Sequence, residues 1–284
     1  MLYGLALASA VFYGAADFLG GLASRRVSAI PIVVISQLAG LIALVLMLPF
    51  LPASTPSRYD LMWGAAAGVT GGIGVALLYH ALATGTMAIV APITAVCAVT
   101  VPVGAAIALG ERPGAGATSG IALAIVAIVL VSRQGAIASP LRGETTDGTR
   151  SAGIALASGV AIGLFFITLA QSGPNAGMWP LVAARTVSFL LFAIFALVAR
   201  RSLRMPRDVA ATAIAGGVLD MLANLLYLLA TRYGQLSLVV TLSSLYPAST
   251  VLLARLVLGE RLSGGQTAGI VCALIAVMLI VGSR

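Results

Sequence analysis

The chain contains no lysine, one histidine, two cysteines and eight acidic residues among 284. Each shortage excludes something. Without lysine, a Gly-x-x-x-x-Gly-Lys-Ser/Thr phosphate loop cannot be built, so the usual nucleotide site is ruled out. Neither His-Glu-x-x-His nor Gly-x-Ser-x-Gly occurs, and no other enzyme motif stands out. Cys97 and Cys272 stand alone in apolar stretches. They imply no disulfide framework and no metal site, and read as packed thiols. Nothing in the sequence requires a cofactor. Charged residues make up 8% of the chain, against about 25% in a soluble domain. That is too few for a water-facing surface, so lipid must be the solvent.

What is present is apolar, at 60% of residues. A helix needs about 20 apolar residues to cross a bilayer core. Ten windows meet that need, roughly 2–23, 30–50, 61–82, 86–108, 115–132, 151–171, 178–199, 209–231, 236–257 and 265–282. Helices are expected because lipid cannot satisfy backbone N–H and C=O groups. A β-barrel is excluded, since the runs do not alternate polar and apolar residues. The first window has no basic residue before it, and Arg25-Arg26 follow it. It reads as a retained span rather than a signal peptide.

The chain also repeats itself. Shifted by 149 residues (residue 4 onto 153), Gly4–Gly14 falls on Gly153–Gly163 with seven of eleven pairs identical, and Leu109-Gly110-Glu111-Arg112 falls on Leu258-Gly259-Glu260-Arg261. A unit this long is no solenoid; in an apolar chain it signals a transporter built from two structural repeats. The sequence therefore predicts an all-α polytopic membrane protein. It comprises a first five-helix repeat (1–132), a polar, turn-rich linker (133–150) and a second five-helix repeat (151–284). Five spans per repeat force the second to enter the membrane inverted relative to the first.

All sixteen basic residues are arginine, for a net charge of +8. Most of them lie in loops, which argues for orientation and against a nucleic-acid partner. Connections after odd-numbered spans, with Arg255 near the same side, hold eleven arginines. The opposite face holds four: Arg58, Arg112, Arg232 and Arg284. The positive-inside rule then puts both termini outside the cytoplasm. Gly64, Gly68 and Gly72 form one small-xxx-small row, and Gly116/Gly120 and Gly265/Gly269 form two more, all suited to close helix packing. Pro92, Pro102 and Pro247 lie within spans four and nine and permit kinks.

Three stretches carry a family resemblance. Val11-Phe12-Tyr13-Gly14-Ala15-Ala16-Asp17-Phe18 resembles an opening aromatic-Gly motif. Ser243–Thr250 through Leu258-Gly259-Glu260-Arg261-Leu262 resembles a span-nine signature, and Ala91-Pro92-Ile93 through Leu109-Gly110-Glu111-Arg112 is its first-repeat copy. Together they are similar to EamA-type members of the drug/metabolite transporter superfamily, across essentially the whole chain. The resemblance implies a secondary exporter of small metabolites with a central cavity between the repeats. Many members keep both termini in the cytoplasm; the arginines here place them on the other side.

Ionisable residues inside spans are expensive and are functional candidates by default. Asp17, His80, Arg185 and Asp220 qualify. Under the offset they map to Phe166, Leu229, Ser36 and Gly71, so each is unique to its half. Asp220 leads a polar stripe with Asn224, Tyr227 and Thr231 at i+4, i+7 and i+11, which reads as a cavity-lining face. The competing reading is a buried polar pair that holds helices together. Asp17 shares a face with Tyr13 and Ser9. Carboxylates in low dielectric can exchange protons near neutral pH, and an ion pair with Arg25 is the alternative. His80 suits a proton relay or an ordinary interfacial side chain. Arg185 suits a helix lock or recognition of an anion. Tyr246, beside Pro247, would line the path from span nine. Trp179 and Tyr233 read as interfacial anchors.

The expected function is an inner-membrane, proton-coupled exporter of a small zwitterionic or cationic metabolite, such as an amino acid. Asp17 and Asp220 would hold proton and cargo in turn, with Tyr13, Tyr227 and Asn224 shaping the pocket. The alternatives are an uncoupled facilitator, an organic-anion importer working through Arg185, and, from another class, a membrane enzyme or scaffold subunit. The partners expected are the cargo, protons and the lipid bilayer.

Overall fold

In the computed structural model, the described residues are 1–24, 26–51, 54–84, 87–132, 148–258 and 263–282, and every regular element among them is helical. The α-helices are α1 (Leu2–Ser24), α2 (Ala29–Met47), α3 (Arg58–Thr84), α4 (Met87–Ala108), α5 (Ala115–Ser132), α6 (Gly148–Ala170), α7 (Trp179–Val198), α8 (Arg207–Thr231), α9 (Leu236–Ser243), α10 (Tyr246–Leu258) and α11 (Gly264–Gly282). Eight segments are long and apolar enough to cross a membrane, and Ile93–Ala108 and Ala115–Val131 are shorter apolar helices. This is a multi-pass membrane protein. Most of the sequence-predicted linker lies outside the described residues, and α6 begins within its last three, at Gly148.

Span nine departs from a simple helix. It is divided into α9 and α10 around Ser244-Leu245. Pro247 has no N–H to return to the Ser243 carbonyl, and the Ala248 N–H turns instead to the Leu245 carbonyl at 3.0 Å. Pro92 and Pro102, by contrast, are absorbed within α4.

The halves pack crosswise. The first helix of each half lies on the third helix of the other, α1 on α8 and α6 on α3. Helices α2 and α7 touch each other, as do α5 and α11. Helix α3 also lies against α7, and glycine makes these crossings close. On α3, a Cβ added at Gly64 would sit 2.3 Å from the Pro180 carbonyl oxygen, and one at Gly68 would sit 2.4 Å from that of Ala184. Gly120 meets Ala276 and Ile280 across the α5–α11 contact, and Gly269 meets Leu130 and Val131. The small-residue rows thus act as helix seams, as small-xxx-small patterns do in lipid.

The Leu-Gly-Glu-Arg motif has a structural role in its first copy. Gly110 takes φ 108°, a left-handed turn open mainly to glycine. The next N–H, of Glu111, closes α4 on the Ala106 carbonyl at 3.0 Å. The Glu111 carboxylate then lies over the start of α9. It accepts from the Leu236 N–H at 2.6 Å, the Ser237 N–H at 3.0 Å and the Ser237 hydroxyl at 2.6 Å. A carboxylate at a helix N-terminus satisfies orphan donors and meets the positive end of the dipole. On the same face, Asp60 forms a reciprocal cap with Ser57 and accepts from the Gly173 N–H at 2.7 Å. Both carboxylates bridge the two halves. At the other face Arg26 pairs with Asp208 in open solvent, where such a pair contributes little.

Candidate functional site

The seams leave a chamber in the middle of the bundle, with a volume of about 140 Å³. One water needs about 10–15 Å³ by this measure, so the space holds a small solute or a group of waters. Its wall comes from six of the long helices and the break in span nine. Helix α1 gives Tyr13 and Asp17, and α2 gives Gln37. Helix α3 gives Ala67, Gly68, Gly71, Gly72, Val75 and Leu78. Ile162, Phe165 and Phe166 come from α6, and Leu181, Ala184, Arg185 and Ser188 from α7. Asp220 and Asn224 come from α8, and Tyr246 from the start of α10. Four pairs of lining residues are related by the 149-residue offset: Tyr13 with Ile162, Asp17 with Phe166, Gly71 with Asp220, and Val75 with Asn224. The chamber therefore lies where equivalent surfaces of the two halves meet.

One wall is a polar network. Arg185 is buried, its side chain 7% exposed, and it donates from Nη2 to Asp220 Oδ2 and from Nη1 to Gln37 Oε1. Gln37 is held in turn, since its Nε2 donates to Ser188 Oγ at 2.9 Å. Asp220 is more open, with 37% of its side chain exposed. Asn224, one turn on, donates to the Asp220 carbonyl at 2.7 Å and accepts from the Tyr13 hydroxyl at 2.9 Å. This ties α8 to α1. The sequence singled out Arg185 and Asp220 separately; the fold makes them partners, which is the helix-locking reading of both.

The opposite wall is aromatic. Tyr13 meets Phe166 edge-on and Tyr246 at a tilt, each with ring centroids 6.2 Å apart, and Phe165 and Phe166 pair at 5.4 Å. Asp17 is exposed to the chamber and has no hydrogen bond or ion pair among the described residues. Among the described residues, Asp17 is the lining carboxylate without a basic partner.

Other sequence-flagged residues lie elsewhere. Tyr227 is fully buried, and its hydroxyl donates to the Phe166 carbonyl at 2.9 Å. It packs between α8 and α6 and does not line the chamber. The polar stripe on α8 faces the chamber at Asp220 and Asn224, and one turn on, at Tyr227, it is covered by Phe166 of α6. Tyr227→Phe should therefore cost about 1 kcal/mol, the worth of one hydrogen bond. A thermal melt in detergent measures this, and transport should be unchanged. Thr231 turns back to the Leu228 carbonyl at 2.8 Å. The His80 side chain and Arg25 lie outside the described residues. Gln37, Ser188, Phe165 and Phe166 were not singled out from sequence. A lone amide in an apolar span was a signal for Gln37; the phenylalanines look like any lipid-facing residue.

A family model described as the EamA-like transporter family matches residues 1–133 and 150–282. No curated protein matches the chain in sequence. A solved structure titled "Crystal structure of protein" superposes on 97% of this chain and 94% of its own, with a TM-score of 0.74 and 15% identity. At that identity the likeness establishes the fold alone.

Proposed function

The chain belongs to the EamA-like transporter family, and from that premise we propose that it is a secondary transporter that exports a small cationic or zwitterionic metabolite in exchange for protons. The observation that carries this reading is Asp17, a carboxylate open to a central chamber and without a partner among the described residues. An uncompensated charge in a low-dielectric site is costly. It is relieved by a proton or by a cationic group, and competition between the two for one carboxylate is the simplest form of exchange. The aromatic wall favours a cation as well, because ring faces attract positive charge. An anion importer is the weaker reading, since the chamber lining carries two carboxylates, Asp17 and Asp220, against one guanidinium, Arg185.

The architecture proposed with it is ten spans in two inverted repeats, rocking about the chamber to give alternating access. The crosswise packing and the four offset-related lining pairs support this plan. The arginine excess supports a position in the inner membrane with both termini outside the cytoplasm.

The test is transport in proteoliposomes with an imposed pH gradient and a panel of cationic and zwitterionic metabolites. Asp17→Asn should abolish proton-linked accumulation, a loss of tenfold or more, while Asp17→Glu should keep a measurable part of it. Equal activity in the two variants would remove Asp17 from the coupling role. Accumulation in wild type that ignores the pH gradient would leave an uncoupled facilitator.

A further inference from the structure

The Arg185 network reads as an occupied ligand site. A guanidinium offers five donors in a rigid fork that fits a carboxylate through two parallel bonds. Here the fork is divided between one oxygen of Asp220 and the amide oxygen of Gln37. Among the described residues, the hydrogen bond from Arg185 to Asp220 goes to one carboxylate oxygen, Oδ2. Exposure within the pair is lopsided. Arg185 is set in the wall at 7% exposure, and Asp220 stands on the chamber side at 37%. A solute arriving through the chamber meets Asp220 first. It can take that carboxylate's place without Arg185 having to move, and the displaced Asp220 passes into the chamber, whose volume is about 140 Å³. Gln37, braced on Ser188 at 2.9 Å, holds the guanidinium still while partners change.

We infer that Arg185 is the anion subsite of the chamber, that Asp220 is a tethered stand-in filling it when cargo is absent, and that the cargo carries a carboxylate beside its cationic group. This deepens the transport reading and rests on it. Asp17 and the aromatic rings take the cationic end; Arg185, positioned by Gln37, takes the carboxylate. Both halves contribute, since Asp17 and Gln37 come from the first and Arg185 and Asp220 from the second. The repeat relation points the same way. The offset equivalents of Arg185 and Asp220 are Ser36 and Gly71, which carry no charge, so the exchangeable pair exists once.

Binding of two probes to the full-length protein in detergent, by calorimetry, tests this. Leucine and leucinamide share a side chain and an ammonium group and differ in the carboxylate. Wild type should bind leucine at least tenfold more tightly. Asp220→Asn removes the internal competitor and should tighten leucine about tenfold while leaving leucinamide unchanged, a gain that misfolding cannot imitate. Arg185→Gln should bring the two probes to equal affinity. Gln37→Leu should weaken leucine alone. Equal binding of both probes by wild type, no binding of either, or an Asp220→Asn variant weakened for both would overturn the inference. Leucinamide transport coupled to protons, with leucine neither bound nor carried, would overturn it while leaving the Asp17 reading intact.

Discussion

Asp220→Ala is expected to destabilise the protein by about 3–5 kcal/mol, the cost of breaking a buried ion pair from one side, and Arg185→Ala by less, about 1–2 kcal/mol. The difference follows from which charge is stranded. Without Asp220, a guanidinium at 7% exposure keeps only the neutral Gln37 amide. It cannot shed its proton to escape the penalty, because arginine stays charged at any working pH. Without Arg185, the carboxylate left behind is 37% exposed to the chamber, where water can solvate it. The measurement is thermal or denaturant unfolding of the purified variants in one detergent. Equal losses, or a larger loss for Arg185→Ala, would mean that the exposures do not govern the pair. The double variant Arg185→Met/Asp220→Leu should recover most of the Asp220→Ala loss, since neither charge is then stranded.

Much of this was legible in the sequence, and the limits are physical. Composition alone required lipid and helices, because 8% charge cannot clothe a soluble fold. The glycine rows marked the seams, since only very small residues let backbones approach so closely. The one-half-only rule picked out Asp17, His80, Arg185 and Asp220; three of them line the chamber, and the His80 side chain lies outside the described residues. What the sequence lacked was partnership. Arg185 and Asp220 lie on neighbouring helices, and nothing in helical periodicity says that their faces meet. Gln37 was marked only as a lone amide in an apolar span; its role exists only through Arg185 and Ser188. Tyr227 shows the opposite limit. Its spacing from Asp220 is right for one face, but how far along a helix a cavity extends is set by neighbouring helices, here α6. Glu111 belongs to a motif that occurs in both halves, which marks the repeat and not the role of the residue. The structure adds the means: glycine turns the chain at the end of α4, and the carboxylate then reaches α9 in the other half.

Gly217→Ala is the second substitution with a large expected effect, about 3 kcal/mol of lost stability. An added Cβ would stand 2.1 Å from the Ser36 carbonyl oxygen and 2.7 Å from that residue's carbonyl carbon and Cα. All three atoms are backbone, so no rotamer change relieves the clash and α2 must move away from α8. Overpacking usually costs about 1–3 kcal/mol, and a rigid backbone contact belongs at the upper end. The neighbouring residue on α2 is Gln37, so the shift draws its amide away from Arg185. Gly217→Ala should therefore weaken cargo binding as well as stability. Gly104→Ala is the control. It replaces a helical glycine with nothing within 4 Å of the new Cβ, and should stabilise by about 0.5–1 kcal/mol through backbone entropy. Melting curves of the two variants beside wild type should move in opposite directions. A Gly217→Ala protein that melts with wild type would show that the α2–α8 crossing is looser than a glycine seam. The close setting of Gln37 against Arg185 would then need another cause.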